Sequence, residues 1–203
     1  MKYFFFVMVL AFAVSCKNDN KNSQAEIDAM IEQNKATPTD PANLTVPNAC
    51  EMITKEALQA ILNVTAGGVN IKESNDPTTD KTKSCFFQWD DPSTPNAGIL
   101  IQIQTNPVYD EYPQYISQFV TSKLNEGETV LGAGVPTKFK RFSSAGSLGA
   151  YSFDQSRFYW NLGNDYLFML AFNLTSLNEE KMVKAAEQIV AEVNKNFASK
   201  TKK

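Results

Sequence analysis

The sequence predicts an α+β fold: an antiparallel sheet of about six to seven strands covered by two or three helices, an α/β sandwich. Three observations predict it. Ile99, Ile101 and Ile103 alternate with Leu100, Gln102 and Gln104, the period of a half-buried strand. Tyr112, Tyr115, Ile116, Phe119 and Val120, and later Met182, Ala186, Ile189, Val193 and Phe197, recur at helical spacing. Between these helices stand short aromatic runs divided by Gly and polar turns, which favours hairpins in one antiparallel sheet.

The elements follow in order. Thr54 is placed to cap a helix through Leu62, with Ala57, Leu58, Ile61 and Leu62 on its apolar side and Gly67 and Gly68 ending it. Val69 and Ile71 suggest a short strand, and residues 75–83 a polar loop containing Pro77. From Ser84 to Asp90, Cys85, Phe87 and Trp89 share one strand face and Phe86 and Gln88 the other. Asp91–Asn96 holds two prolines and reads as a turn. Asp110 is placed to cap a helix reaching Leu124, with Pro113 tolerated in its first turn. Strands are expected near 128–131, 137–142, 148–154, 157–162 and 165–172, with a tight hairpin at Gly163-Asn164-Asp165. Tyr166, Phe168, Leu170 and Phe172 face one side of the last strand, and Leu167, Met169 and Ala171 the other. A strand apolar on both faces belongs in the middle of its sheet. A final helix is expected from about Glu179 to Phe197.

Charge and composition exclude several function classes. The chain has 203 residues, 19 Lys+Arg against 22 Asp+Glu, and no histidine. Mild acidity argues against a nucleic-acid partner, which needs a basic face for phosphates. Without histidine there is no Ser-His-Asp triad, no Cys-His dyad and no His-ligated metal.

The first residues read as an export signal. Lys2 precedes an uncharged apolar run from Tyr3 to Val14. A bilayer span needs about 20 apolar residues, so this run suits the h-region of a cleaved signal. It ends in Ala13-Val14-Ser15-Cys16, which resembles the bacterial lipoprotein lipobox. That resemblance implies cleavage after Ser15 and a lipid on Cys16, hence a membrane partner through the anchor. Lys17 stands where the inner-membrane retention signal has Asp, which favours the outer membrane. Asn18-Asp19-Asn20 resembles the acidic export tracts of Bacteroidetes surface lipoproteins, and the periplasmic and surface faces both stay open. The expected organisation is a signal at 1–15, a lipidated tether at 16–48, one domain at 49–198 and a basic tail at 199–203. Pro38, Pro41 and Pro47 stiffen the polar tether. Within it Ser23 and Glu26 form a capping box ahead of Ile27, Met30 and Ile31, which share a helical face. That segment either docks on the domain or stays marginal.

With Cys16 lipidated, Cys50 and Cys85 remain. In an oxidising compartment an even remainder pairs; the alternative is two thiols used for metal or redox work. The cysteine in Ala49-Cys50-Glu51-Met52-Ile53-Thr54, the second in Ser84-Cys85-Phe86-Phe87, and the turn Val130-Leu131-Gly132-Ala133-Gly134 together resemble exported two-cysteine bacterial lipoproteins. Their resemblance covers about residues 49–197 and implies a PsbP/Mog1-like α/β sandwich with no assigned activity.

Candidate sites are few. Gly132-Ala133-Gly134 lacks the third glycine of a dinucleotide fingerprint. Gly146-Ser147-Leu148-Gly149 is not a nucleophile elbow and reads as a hairpin loop. Ser199 and Lys202 match Ser-x-x-Lys in a basic tail. Asp76, Asp80, Asp90 and Asp91 lie in two neighbouring loops as calcium candidates. Tyr109, Tyr112, Trp89 and Tyr159 are candidates for a stacking platform, with Trp160 placed in the core and Tyr159 on the more polar face beside Arg157 and Asn161. No cofactor is expected. The expected function is a lipid-anchored envelope interaction module binding another envelope protein. The alternatives are a binder of a glycan, lipid or ion, and a hydrolase working through two carboxylates.

Overall fold

A computed structural model describes residues 36–64, 68–74, 80–129, 136–144, 147–173 and 177–201. The leader, the lipobox, the Ser23–Ile31 segment, Asp76 and the turn at 130–134 lie outside the described residues.

Seven strands form one antiparallel sheet: β1 (Asn70–Glu73), β2 (Thr82–Gln88), β3 (Gly98–Gln104), β4 (Lys140–Ser144), β5 (Ser147–Ser152), β6 (Arg157–Leu162) and β7 (Tyr166–Asn173). Their order is β1-β2-β3-β7-β6-β5-β4. Two meanders therefore meet at β3 and β7, which pair from Gly98↔Asn173 to Gln104↔Leu167. The doubly apolar strand is central, as its two faces require.

One face of the sheet carries the larger core. Cys85, Phe87, Ile99, Ile101, Ile103, Phe158, Trp160, Phe168 and Leu170 lie there, each almost wholly buried. Helix α1 (Lys55–Leu62) and helix α3 (Glu179–Thr201) cover it. Met182, Ala186, Ile189, Val193 and Phe197 form the buried stripe of α3 at the i, i+3, i+4 spacing that puts them on one side. Asn178 accepts from the Lys181 amide, and Glu179 and Glu180 favour the positive end of the helix dipole. The smaller core lies on the opposite face. There helix α2 (Tyr115–Asn125) sets Ile116 and Val120 on Ala150, Tyr159 and Leu167.

Local chemistry accounts for the boundaries that differ from expectation. The α1 helix begins at Thr54, whose hydroxyl accepts from the Ala57 amide, but it ends at Asn63 in the left-handed region (φ 53°), ahead of the glycines. The α2 helix begins at Tyr115, not at Asp110. Buried Asn106 organises the preceding residues: its amide donates to the Tyr112 and Pro113 carbonyls and its carbonyl accepts from Val108. Pro113 thus stays outside the helix. In the 128–131 region the described residues show a single bridge, Glu128↔Thr137. The basic tail is in fact the last turn of α3 as far as Thr201, where the Ser199 hydroxyl donates to the Asn196 carbonyl.

Gly149 lies within β5 and not in a hairpin loop. A β-carbon there would sit 2.4 Å from the Tyr159 carbonyl oxygen and 3.0 Å from the Phe142 ring. Both contacts are inside the sheet and cannot retreat. Gly149→Ala is expected to cost about 1–3 kcal/mol. Urea unfolding measures it; an unchanged midpoint contradicts the contact.

Candidate functional site

The predicted disulfide is formed. Cys50 and Cys85 are joined, with a Cα–Cα distance of 5.0 Å, across 35 residues of sequence. Cys50 sits in a short 3-10 turn, Ala49–Glu51, capped by the Asn48 side chain. Cys85 sits inside β2. The bond therefore fixes the start of the helical layer to the sheet.

The last part of the expected tether belongs to the domain. Residues 36–48 form a strap across one end of the sheet. Thr39 donates through its amide and its hydroxyl to the Asp165 carboxylate, at 2.8 and 3.0 Å. Asn164 donates to the Ala36 carbonyl (2.7 Å), Tyr109 to the Pro38 carbonyl (3.1 Å) and Tyr166 to the Thr45 carbonyl (3.2 Å). Pro38, Pro41 and Val46 are buried. Proline-rich composition predicted a solvated linker, but prolines lose little entropy on docking and here fill the sheet end. Two open cavities flank the strap. One, of about 590 Å³, is lined by Pro41, Val46, Lys81, Lys83 and Thr105; the other, of about 530 Å³, by Asn43, Asn48, Glu51, Tyr166 and Lys200.

The expected aromatic platform does not assemble. Tyr159 is 7 % exposed and belongs to the core beneath α2, while Trp89 is 4 % exposed and lies in the core of the opposite face. Strand parity placed Tyr159 on the correct side; what it did not reveal is that α2 covers that side. Tyr109 spends its hydroxyl on the strap, and Tyr112 is the exposed member of the set.

Tyr159 instead helps enclose a cation. The Lys123 ammonium lies 5.0 Å from the Phe119 ring centre, 5.5 Å from Tyr159 and 5.8 Å from Phe139. It also donates to the Glu128 carboxylate at 2.8 Å. Three ring faces and a carboxylate around a side chain only 15 % exposed make a cation–π site that ties α2 to β6. Burial, then the Glu128 charge, pushes the Tyr159 hydroxyl above the ordinary tyrosine range. No sequence spacing announces this cage, because its members come from α2, β6 and two loops.

Among the described residues the calcium candidates Asp80, Asp90 and Asp91 do not converge. The Asp91 carboxylate accepts from the Ser93 hydroxyl (2.6 Å), the Ser93 amide (2.8 Å) and the Thr94 amide (3.1 Å). The Ser93 bonds hold its carboxyl below the usual range. Asp80 pairs with Lys83 at 3.1 Å. Among the described residues no group of three or more acidic, cysteine or histidine side chains could hold a metal ion. Asp91 sets a turn and Asp80 a surface ion pair.

A second polar cluster joins α3 to β4 and β5. Glu179 accepts from Lys140 (2.6 Å) and from the Tyr151 hydroxyl (2.9 Å). Those bonds, the lysine's first, hold its carboxyl below its ordinary 4.5. A lowered folded-state value means the ionised form stabilises the fold above the unfolded value, and the gain is lost as pH falls through the folded value. Glu179→Gln is expected to flatten the stability-versus-pH curve below about pH 5 and to leave its shape at neutral pH unchanged. Chemical unfolding across pH measures this, and an acid limb identical to the parent's rejects the bonded carboxylate.

Among the described residues, nothing covers one stretch of the sheet. The α2 helix covers the β5–β6 side of the second face, whereas Phe86 and Leu100 on the same face stay half-buried beside Ala171 and Gly98. They line a shallow depression of about 210 Å³, rimmed by Gln88, Asn96 and Asn173. No family model, no curated protein and no solved structure matches this chain.

Proposed function

We propose that the chain is a lipid-anchored cell-envelope protein, held by Cys16 and acting as a non-enzymatic interaction module for another envelope component. The observation that carries the reading is the way the N-terminal side joins the domain. The export-type leader and Cys16 precede a strap bonded to the β6–β7 turn through Thr39 and Asp165. Two residues after that strap, Cys50 is bonded to the middle of β2. A pull from a membrane anchor is thereby delivered to the sheet, and the helical layer is spared. Many polar side chains with described partners serve caps, turns, ion pairs and the strap, which suits a scaffold that presents a surface. The net charge of −3 supports a protein partner over a nucleic acid.

Cys16→Ala is expected to move the protein from the membrane fraction to the soluble fraction and to abolish incorporation of labelled fatty acid. A variant that stays membrane-bound and labelled rejects the anchor.

The strap cavities favour a second reading, a binder of a small glycan, lipid or ion. Their volumes fall in the about 300–1,000 Å³ range of small-molecule sites. A thermal-shift screen of the chain against those ligand classes separates the two readings: a saturable rise in melting temperature supports the second.

A further inference from the structure

The strap is held the way a peptide ligand is held. It adds no strand to the sheet. Side chains of the domain bond its backbone instead: Asn164 donates to the Ala36 carbonyl, Tyr109 to the Pro38 carbonyl and Tyr166 to the Thr45 carbonyl. The Asp165 carboxylate accepts twice from one residue, from the amide and the hydroxyl of Thr39. A carboxylate that takes both bonds selects Ser or Thr at that place. Pro38 and Pro41 are buried on either side of it, and Asp40 between them is extended (φ −56°, ψ 123°), near polyproline II. Proline has little entropy left to lose on docking, which is how grooves select proline-bearing segments. The groove thus reads Pro38-Thr39-Asp40-Pro41 as a hydroxyl residue set between two prolines.

The seat is also one the strap can leave. Within the strap only Pro38, Pro41 and Val46 are buried. Leu44 and Thr45 border both of the open cavities that flank it, of about 590 and about 530 Å³. Its turn is self-contained: the Asp40 side chain caps Pro41–Asn43, and Leu44 donates back to the Pro41 carbonyl. The Cys50–Cys85 bond follows the strap, so the sheet and the helical layer stay joined without it.

We propose that the strap is a replaceable occupant of a peptide groove at this end of the sheet, and that the groove takes an extended Pro-(Ser/Thr)-x-Pro segment of another protein. Carried on the same chain, the strap competes at an effective concentration on the order of millimolar. It therefore closes the groove to weak segments and yields to tight ones. The inference rests on the interaction-module reading for its partner and does not need the lipid on Cys16.

The test uses the full-length chain with Thr39→Val and Pro41→Gly, which weaken the strap from its own side and leave Tyr109, Asn164, Asp165 and Tyr166 in place. Mass spectrometry of the Cys50–Cys85 bond verifies folding. The probe is a synthetic peptide with the sequence of residues 36–48. Saturable binding is expected, about tenfold or more tighter to this variant than to the parent, because the strap no longer competes. The same peptide carrying Thr39→Val is expected to bind about tenfold more weakly, the factor for one hydrogen bond to a charged acceptor. Adding Asp165→Ala to the variant is expected to cost at least as much. No binding to the weakened-strap chain, or equal binding of the two peptides, overturns the proposal. In the unaltered chain, a millimolar excess of peptide is expected to speed hydrogen exchange of the Thr39 amide, and an unmoved rate overturns a replaceable strap. Crosslinked capture from the native envelope separates this inference from the reading it rests on. A partner captured equally by the parent and the weakened-strap chain leaves the interaction module standing and overturns the groove. Peptide binding with nothing captured by either chain keeps the groove and counts against the module.

Discussion

Replacing Cys50 and Cys85 together by alanine is expected to lower the unfolding free energy by about 4 kcal/mol. The bond closes a loop with a sequence separation of 35, and the chain-entropy model assigns a loop of that size about 4 kcal/mol. Both partners must change, because a lone thiol at the fully buried Cys85 would confuse loss of the bond with new chemistry. The melting temperature should fall by roughly 8–16 °C for a domain of this size. Reducing agent should destabilise the parent by a similar amount and leave the double variant unmoved. A parent insensitive to reductant would show that the bond adds little, and that Met52, Ile53 and Leu58, all buried beside it, hold the helical layer by packing alone.

Trp160→Ala is expected to be the most damaging single change. Trp160 is wholly buried and stacks on Phe168 with ring centres 5.1 Å apart. Its indole N–H donates to the Asn194 side chain at 2.9 Å, and Asn194 donates in turn to the Ser147 hydroxyl at 3.0 Å. Removing the ring costs about 3–5 kcal/mol in lost burial and cavity. The stranded Asn194 carbonyl adds about 1–3 kcal/mol. Trp160→Phe separates the two effects, since it keeps most of the ring and strands the amide. It should cost about 1–3 kcal/mol, and combining it with Asn194→Leu should be less damaging than the sum of the two single changes. Strict additivity in that cycle would contradict the hydrogen bond.

Much of the architecture was legible because strand and helix periods are local. The alternation at 99–104 and the two apolar faces at 166–172 placed β3 and β7, and the sheet puts those two side by side at its centre. Met182 to Phe197 predicted the buried stripe of α3 residue by residue. The cysteine pairing followed from counting. What stayed illegible depends on contacts between distant segments. Asp110 had the residue type of a cap, but Asn106 reaches the Tyr112 and Pro113 carbonyls and defers the helix to Tyr115. Residues 36–48 had the composition of a linker, yet Asp165 and Asn164, more than a hundred residues away, hold them down. Tyr159 was assigned the correct face, and its burial required knowing that α2 returns over β5 and β6. The cage around Lys123 needs the same closure. Candidate sites were hardest for a related reason: aspartates in neighbouring loops share a region of sequence, but Asp91 turns inward on Ser93 and Thr94 while Asp80 meets Lys83.

The reading of a tethered interaction module is tested most directly by crosslinking the full-length protein in its native envelope and identifying what is captured by mass spectrometry. One envelope protein is expected at near-equal stoichiometry from the membrane fraction, and it is expected to be lost when Cys16→Ala releases the chain from the membrane. Capture of the chain alone from the intact envelope, or the same partner recovered undiminished with the Cys16→Ala variant, would contradict that reading.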